Sequence, residues 1–152
     1  MKRVILDTNI YGLIAVDEER EKIRDSAASS YIVYGSTVIR KELRKTKKGF
    51  VDGINLRNVL LSLYHEITKS RELGINGKEA KISESYFSAY RQFGGIVSRS
   101  KMLNDFLIVA SASLHNLDIV VSEDNATMLN EIALKSYSVV NSTLKLKTPR
   151  FI

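Results

Sequence analysis

Residues 3–7, Arg-Val-Ile-Leu-Asp, constrain the fold more than any other stretch. Three aliphatic residues closed by a carboxylate read as a strand of a parallel sheet, buried on both faces, whose last side chain emerges at the sheet edge. A second run of this kind, Leu117-Asp118-Ile119-Val120-Val121-Ser122, lies far along the chain and is followed by Glu123 and Asp124.

The segments between these runs carry helical spacing. Helices are expected over residues 9–15 and 17–29, then a strand at 31–34 stopped by Gly35. Ser36 or Thr37 caps a helix running to about Lys47. Residues 52–70, with Ile54, Val59, Leu60, Leu63 and Ile67, and residues 78–93, with Ala80, Ile82, Tyr86, Phe87 and Tyr90, predict two helices that form an arm on the sheet. A strong helix follows at 101–116, then the strand at 117–122, a helix at 125–135 and a short strand at 138–140. The basic tail from 143 onward is expected to be loosely held. Strands alternating with helices predict an α/β fold: a mostly parallel sheet of about four to five strands with helices on both faces. Its ligand site belongs beyond the carboxyl ends of the strands.

With 152 residues and no linker or repeat, a single domain over 1–152 is expected. The chain has no cysteine, which excludes thiolate zinc sites, thiol nucleophiles and disulfides. The apolar run at 4–6 is too short for a signal peptide or a membrane span, so a cytoplasmic protein without a membrane partner is expected. A net charge of +6 suits a polyanionic partner.

The acids decide the chemistry. Asp7 and Asp124 follow strands and project at one sheet edge. Asp105 opens the 101–116 helix and shares its stripe with Ile108, Val109 and Ala112; Glu42 shares one with Val38 and Ile39. Carboxylates on apolar stripes are out of place unless a partner compensates them. Four of them in one partly buried region would repel one another, and a hard divalent cation relieves that repulsion. Each has an ordinary reading too. Asp7 and Asp124 are placed to cap the helices that follow them, Asp105 to act as a cap or dipole partner, and Glu42 to pair with Arg40 or Lys45.

Four motifs together resemble the PIN-domain nucleases. They are Leu6-Asp7-Thr8-Asn9, Ser36-Thr37-Val38-Ile39-Arg40-Lys41-Glu42-Leu43, Asn104-Asp105-Phe106-Leu107-Ile108-Val109-Ala110-Ser111-Ala112, and Ile119-Val120-Val121-Ser122-Glu123-Asp124. The resemblance runs from residue 4 to about 140. It implies a three-layer α/β/α domain and a ribonuclease hydrolysing phosphodiester bonds. It also implies Mg²⁺ or Mn²⁺ held by Asp7, Glu42, Asp105 and Asp124, with supporting contacts from Thr8, Asn9 and Ser122. Many small members are VapC-type toxins, so an antitoxin partner and a homodimer are implied as well. The neighbouring Glu123 competes with Asp124 for the last position, which the motif assigns to Asp124.

Arg40, Lys41, Arg44 and Lys45 flank Glu42 and are expected either to steer RNA or to form a solvated helix face. Tyr86, Phe87 and Tyr90 read as core or dimer contacts. His65 and His115 lack ligand spacing. Two rivals are disfavoured by the residues: a haloacid dehalogenase-like phosphatase needs an acid where Asn9 stands, and a receiver-like domain leaves Glu42 without a role. A PIN-fold scaffold that binds RNA or protein without cleaving is the remaining alternative.

Overall fold

The computed structural model describes residues 1–152. β1 (Arg3–Leu6) enters the core at once, since Val4, Ile5 and Leu6 are all buried. α1 (Thr8–Val16) and α2 (Arg20–Ser30) follow, and then β2 (Ile32–Ser36), which pairs parallel to β1 with Val4 opposite Val33. Ser36 caps α3 (Thr37–Arg44) by accepting from the Val38 amide.

Residues 50–55 hold a small antiparallel hairpin, β3 (Phe50–Val51) and β4 (Ile54–Asn55). Its turn residues Asp52 and Gly53 both have positive φ, 51° and 75°, as a two-residue hairpin turn requires. The expected 52–70 helix is therefore shorter: α4 spans Leu56–Thr68, starting at an Asn55 cap, and Ile54 is an exposed strand residue.

β5 (Glu72–Leu73), α5 (Gly77–Gln92) and α6 (Arg99–Leu114) come next. β6 (Ile119–Val121) pairs parallel to β1 on the side opposite β2. Where a helix over 125–135 and a strand at 138–140 are expected, residues 125–129 form turns and α7 runs Glu131–Leu144. The buried stripe Ala133, Ser136, Tyr137, Val140 and Asn141 has helical spacing. That burial overrides the local β preference of Val139-Val140. The tail is not loose: β7 (Arg150–Phe151) pairs parallel with β6, and Lys147 lies 2.5 Å from Asp118.

The sheet order is β5-β2-β1-β6-β7, with every pairing parallel. α1 to α4 pack together, as do α5, α6 and α7, giving three layers. Tyr86, Tyr90, Phe106 and Tyr137 are fully buried in the second group, so Tyr86 and Tyr90 are core residues. Ala80 is exposed, against expectation.

Gly35 marks the tightest backbone approach. A Cβ there would stand 2.1 Å from the Tyr64 hydroxyl. That hydroxyl is pinned, 2.6 Å from Glu72 Oε2 and 3.2 Å from the Ser36 carbonyl. The ring cannot withdraw without losing both contacts. Gly35→Ala is therefore expected to destabilise the protein by about 3 kcal/mol, measured as a lowered midpoint in urea unfolding.

Candidate active site

β1 and β6 run side by side and end together, which brings Asp7 next to Ser122. The Asp7 amide continues the ladder by donating to the Val121 carbonyl at 2.8 Å. Its side chain is buried and accepts twice: from the Thr8 amide at 2.8 Å on Oδ1 and from Ser122 Oγ at 2.7 Å on Oδ2. Asp7 thus also serves as the N-cap of α1. Ser122 Oγ in turn accepts from the Asp124 amide at 3.0 Å.

Glu42 reaches this edge from the second turn of α3, where Thr8 Oγ1 donates to its Oε1 at 2.8 Å. Asp105 comes from the interior of α6, not from its first turn as expected, because that helix begins at Arg99. Thr127 Oγ1 donates to Asp105 Oδ2 at 2.5 Å. Asp124 caps the turn after β6, its Oδ1 accepting from the amides of Ala126 and Thr127 at 3.1 and 3.0 Å. The ordinary capping reading thus holds for Asp7, whereas Asp124 caps only a turn, because the next helix begins at Glu131 with Asn130 as its cap. Asn9 Oδ1 accepts from the Glu123 amide at 3.4 Å, which ties α1 to the loop after β6, while Glu123 itself is exposed.

These bonds make one continuous circuit, from Glu42 through Thr8 to Asp7, through Ser122 to Asp124, and through Thr127 to Asp105. The four acids are joined through hydroxyls and amides rather than closing on one point. No three Asp, Glu or His side chains form a ready-made cage for an ion.

The electrostatics show the strain of gathering acids together. Burial raises the Asp7 pKa, and the Asp124 charge adds to it against the Ser122 and Thr8 bonds. Burial also raises Glu42, helped by the Asp7 charge and opposed by Thr8, the Asn104 side chain and Lys45. Asp105 is pushed up to about 7, by burial first, with the charges of Asp7, Asp124 and Glu42 adding to it and the Thr127 bond opposing. Asp7, Glu42 and Asp105 therefore each feel the charge of at least one other acid of the set.

Sequence reasoning missed Thr127, whose spacing three residues after Asp124 is the only local signal. It also gave Asn104 no role. Among the basic residues, Lys41, Arg44 and Lys45 are exposed on α3. Arg40 instead approaches Glu72 Oε2 of β5 at 2.8 Å, an ion pair without hydrogen-bond alignment. No helix is long and apolar enough to cross a membrane.

No protein-family model and no curated protein matches the sequence. Solved structures do match the fold. A structure of VapBC2 from Rickettsia felis, bound to a DNA fragment from its promoter, aligns at 15% identity over 99% of this chain and 97% of that chain, with a TM-score of 0.55. DNA-bound VapBC from Salmonella typhimurium aligns at 16% identity over 100% and 98%, with a TM-score of 0.56. FitAcB from Neisseria gonorrhoeae aligns at 20% identity over 86% and 92%, with a TM-score of 0.51. These likenesses establish the fold, the three-layer PIN-like arrangement.

Proposed function

We propose that this chain is a divalent-metal-dependent endoribonuclease and the toxin of a toxin–antitoxin pair. The observation that carries the reading is the hydrogen-bonded circuit joining Asp7, Glu42, Asp105 and Asp124 at the carboxyl ends of β1 and β6. Acids gathered this closely form an all-oxygen donor set suited to a hard cation. Mg²⁺ typically takes one or two carboxylates and completes its shell with water and substrate phosphate, a demand these side chains can meet. Such an ion supplies Lewis acidity to a phosphodiester.

The residues of the chain divide the remaining work. Asp7, Glu42, Asp105 and Asp124 provide the negative field, and one of them accepts a proton from the attacking water. Thr8 and Ser122 fix the carboxylates of Glu42 and Asp7. Asn9 anchors the loop that carries Asp124. Lys41, Arg44 and Lys45 line the approach along α3 and meet RNA phosphates, with Arg40 at the rim already held by Glu72. The single-domain organisation, an antitoxin partner and a homodimer belong to the same reading. Its support is the fold shared with the FitAcB structure and with the two VapBC assemblies, both of which are bound to DNA.

Incubation of single-stranded RNA with Mn²⁺ is expected to give endonucleolytic products that EDTA abolishes. Asp7→Asn is expected to remove that cleavage, and persistence in the variant counts against the assignment. One observation favours a second reading, a non-cleaving scaffold: the lack of a three-carboxylate cage. A scaffold binds RNA or protein and leaves the RNA intact at every metal concentration.

A further inference from the structure

We infer that Thr127 is a positioning residue for Asp105, and that the turn over residues 124–128 sets how this carboxylate meets the other acids; the inference rests on the nuclease reading above. Thr127 touches two acids from different elements. Its hydroxyl donates to Asp105 Oδ2 at 2.5 Å, and its amide donates to Asp124 Oδ1 at 3.0 Å. The first contact sets a hydroxyl donor on a carboxylate oxygen, a pairing stronger than one between neutral groups when the acid is ionised. A threonine has few χ1 choices, so its hydroxyl is held in one direction.

The turn itself is fixed at both ends. Ser122 Oγ accepts from the Asp124 amide at 3.0 Å, and the Tyr137 hydroxyl donates to the Met128 carbonyl at 2.9 Å. Tyr137 is fully buried and stands edge-on to Phe106, ring centroids 5.6 Å apart and planes at 90°. Phe106 is the residue after Asp105. The turn and the helix that carries Asp105 are thus referenced to one aromatic core, and Thr127 closes the gap between them. Partners that orient metal-binding side chains are worth about 10–100-fold in metal affinity or activity. A residue that merely completes a turn affects stability alone.

The test compares Thr127→Val, which keeps the shape and loses the O–H, with Thr127→Ser, which keeps the O–H. Mn²⁺ affinity is read by calorimetry, cleavage by kcat and KM on an RNA oligomer, and folding by thermal midpoint. Thr127→Val is expected to weaken Mn²⁺ binding and lower kcat by about 10–100-fold, with KM nearly unchanged. Thr127→Ser is expected to recover most of both. If Val and Ser behave alike, or if Val lowers only the thermal midpoint, the positioning role is overturned. A wild-type protein that binds no Mn²⁺ and cleaves no RNA overturns the nuclease reading instead. The Thr127→Val, Asp105→Ala double-mutant cycle, in which each single change removes the contact, then decides the positioning role: fully additive thermal shifts overturn it, and Asp105→Ala masking the effect of Thr127→Val upholds it.

Discussion

Asp105→Asn is expected to reduce RNA cleavage by on the order of a hundredfold or more and, in the same protein, to raise the metal-free thermal midpoint at pH 8 by about 3–6 °C. The two effects have one cause. In the folded protein the Asp105 carboxyl is pushed up to about 7, by burial and then by the charges of Asp7, Asp124 and Glu42. In the unfolded chain it titrates near 3.8. Between these values the folded state binds the extra proton, so stability falls as pH rises from about 4 to about 7 and stays low above that. A separation of about three units corresponds to about 4 kcal/mol at most. Partial solvent access to the side chain reduces this to about 1–2 kcal/mol.

Asparagine removes the charge and keeps an oxygen to accept from Thr127. The gain in midpoint should therefore vanish at pH 4 and grow toward pH 8, which thermal scans in EDTA across that range will measure. Loss of stability at pH 8 in the variant would show that the ionised carboxylate anchors the fold rather than straining it. Saturating Mn²⁺ should reverse the ranking, because a cation bound to the folded state stabilises the wild type more.

Phe106→Ala is expected to cost about 3–5 kcal/mol. Phe106 is the hub of the aromatic cluster. Its ring lies 6.0 Å from Tyr86, 6.0 Å from Tyr90 and 5.6 Å from Tyr137, each edge-on. Such pairs contribute about 0.5–1.5 kcal/mol each beyond the area they bury. Three rings held by hydrogen bonds elsewhere cannot collapse into the space left behind. Tyr86 is fixed by Asn141 at 2.7 Å, Tyr90 by the Val97 amide at 3.0 Å and Tyr137 by the Met128 carbonyl at 2.9 Å. Urea unfolding measures the loss; a change below about 1 kcal/mol would mean that the cluster repacks.

The parts of the fold legible in the sequence are those with long-range burial written into a local pattern. The aliphatic run of β1, the run of β6 and the stripes of α6 announce themselves because each is buried along its length. β5 and β7 have two residues each and no pattern of their own. They exist because a neighbouring strand offers hydrogen bonds. Val139-Val140 reads as a strand locally, yet Ala133, Tyr137 and Val140 must share a helical face to cover the sheet. The approach of Asp7 and Asp124 follows from the strand-end rule. Thr127 was not legible as a partner of Asp105, because a hydroxyl and a carboxylate distant in the chain leave no periodic trace.

β7 carries a consequence for the lifetime of the site. The Ser122 amide donates to the carbonyl of Ile152 at 3.0 Å, just past that two-residue strand, and the same serine steadies Asp7. A short outer strand opens at lower free energy than the sheet interior. Fluctuations that lift residues 150–152 will therefore loosen Ser122 well before the molecule melts, and the persistence of an ordered acid circuit is bounded by how long that outermost strand stays shut.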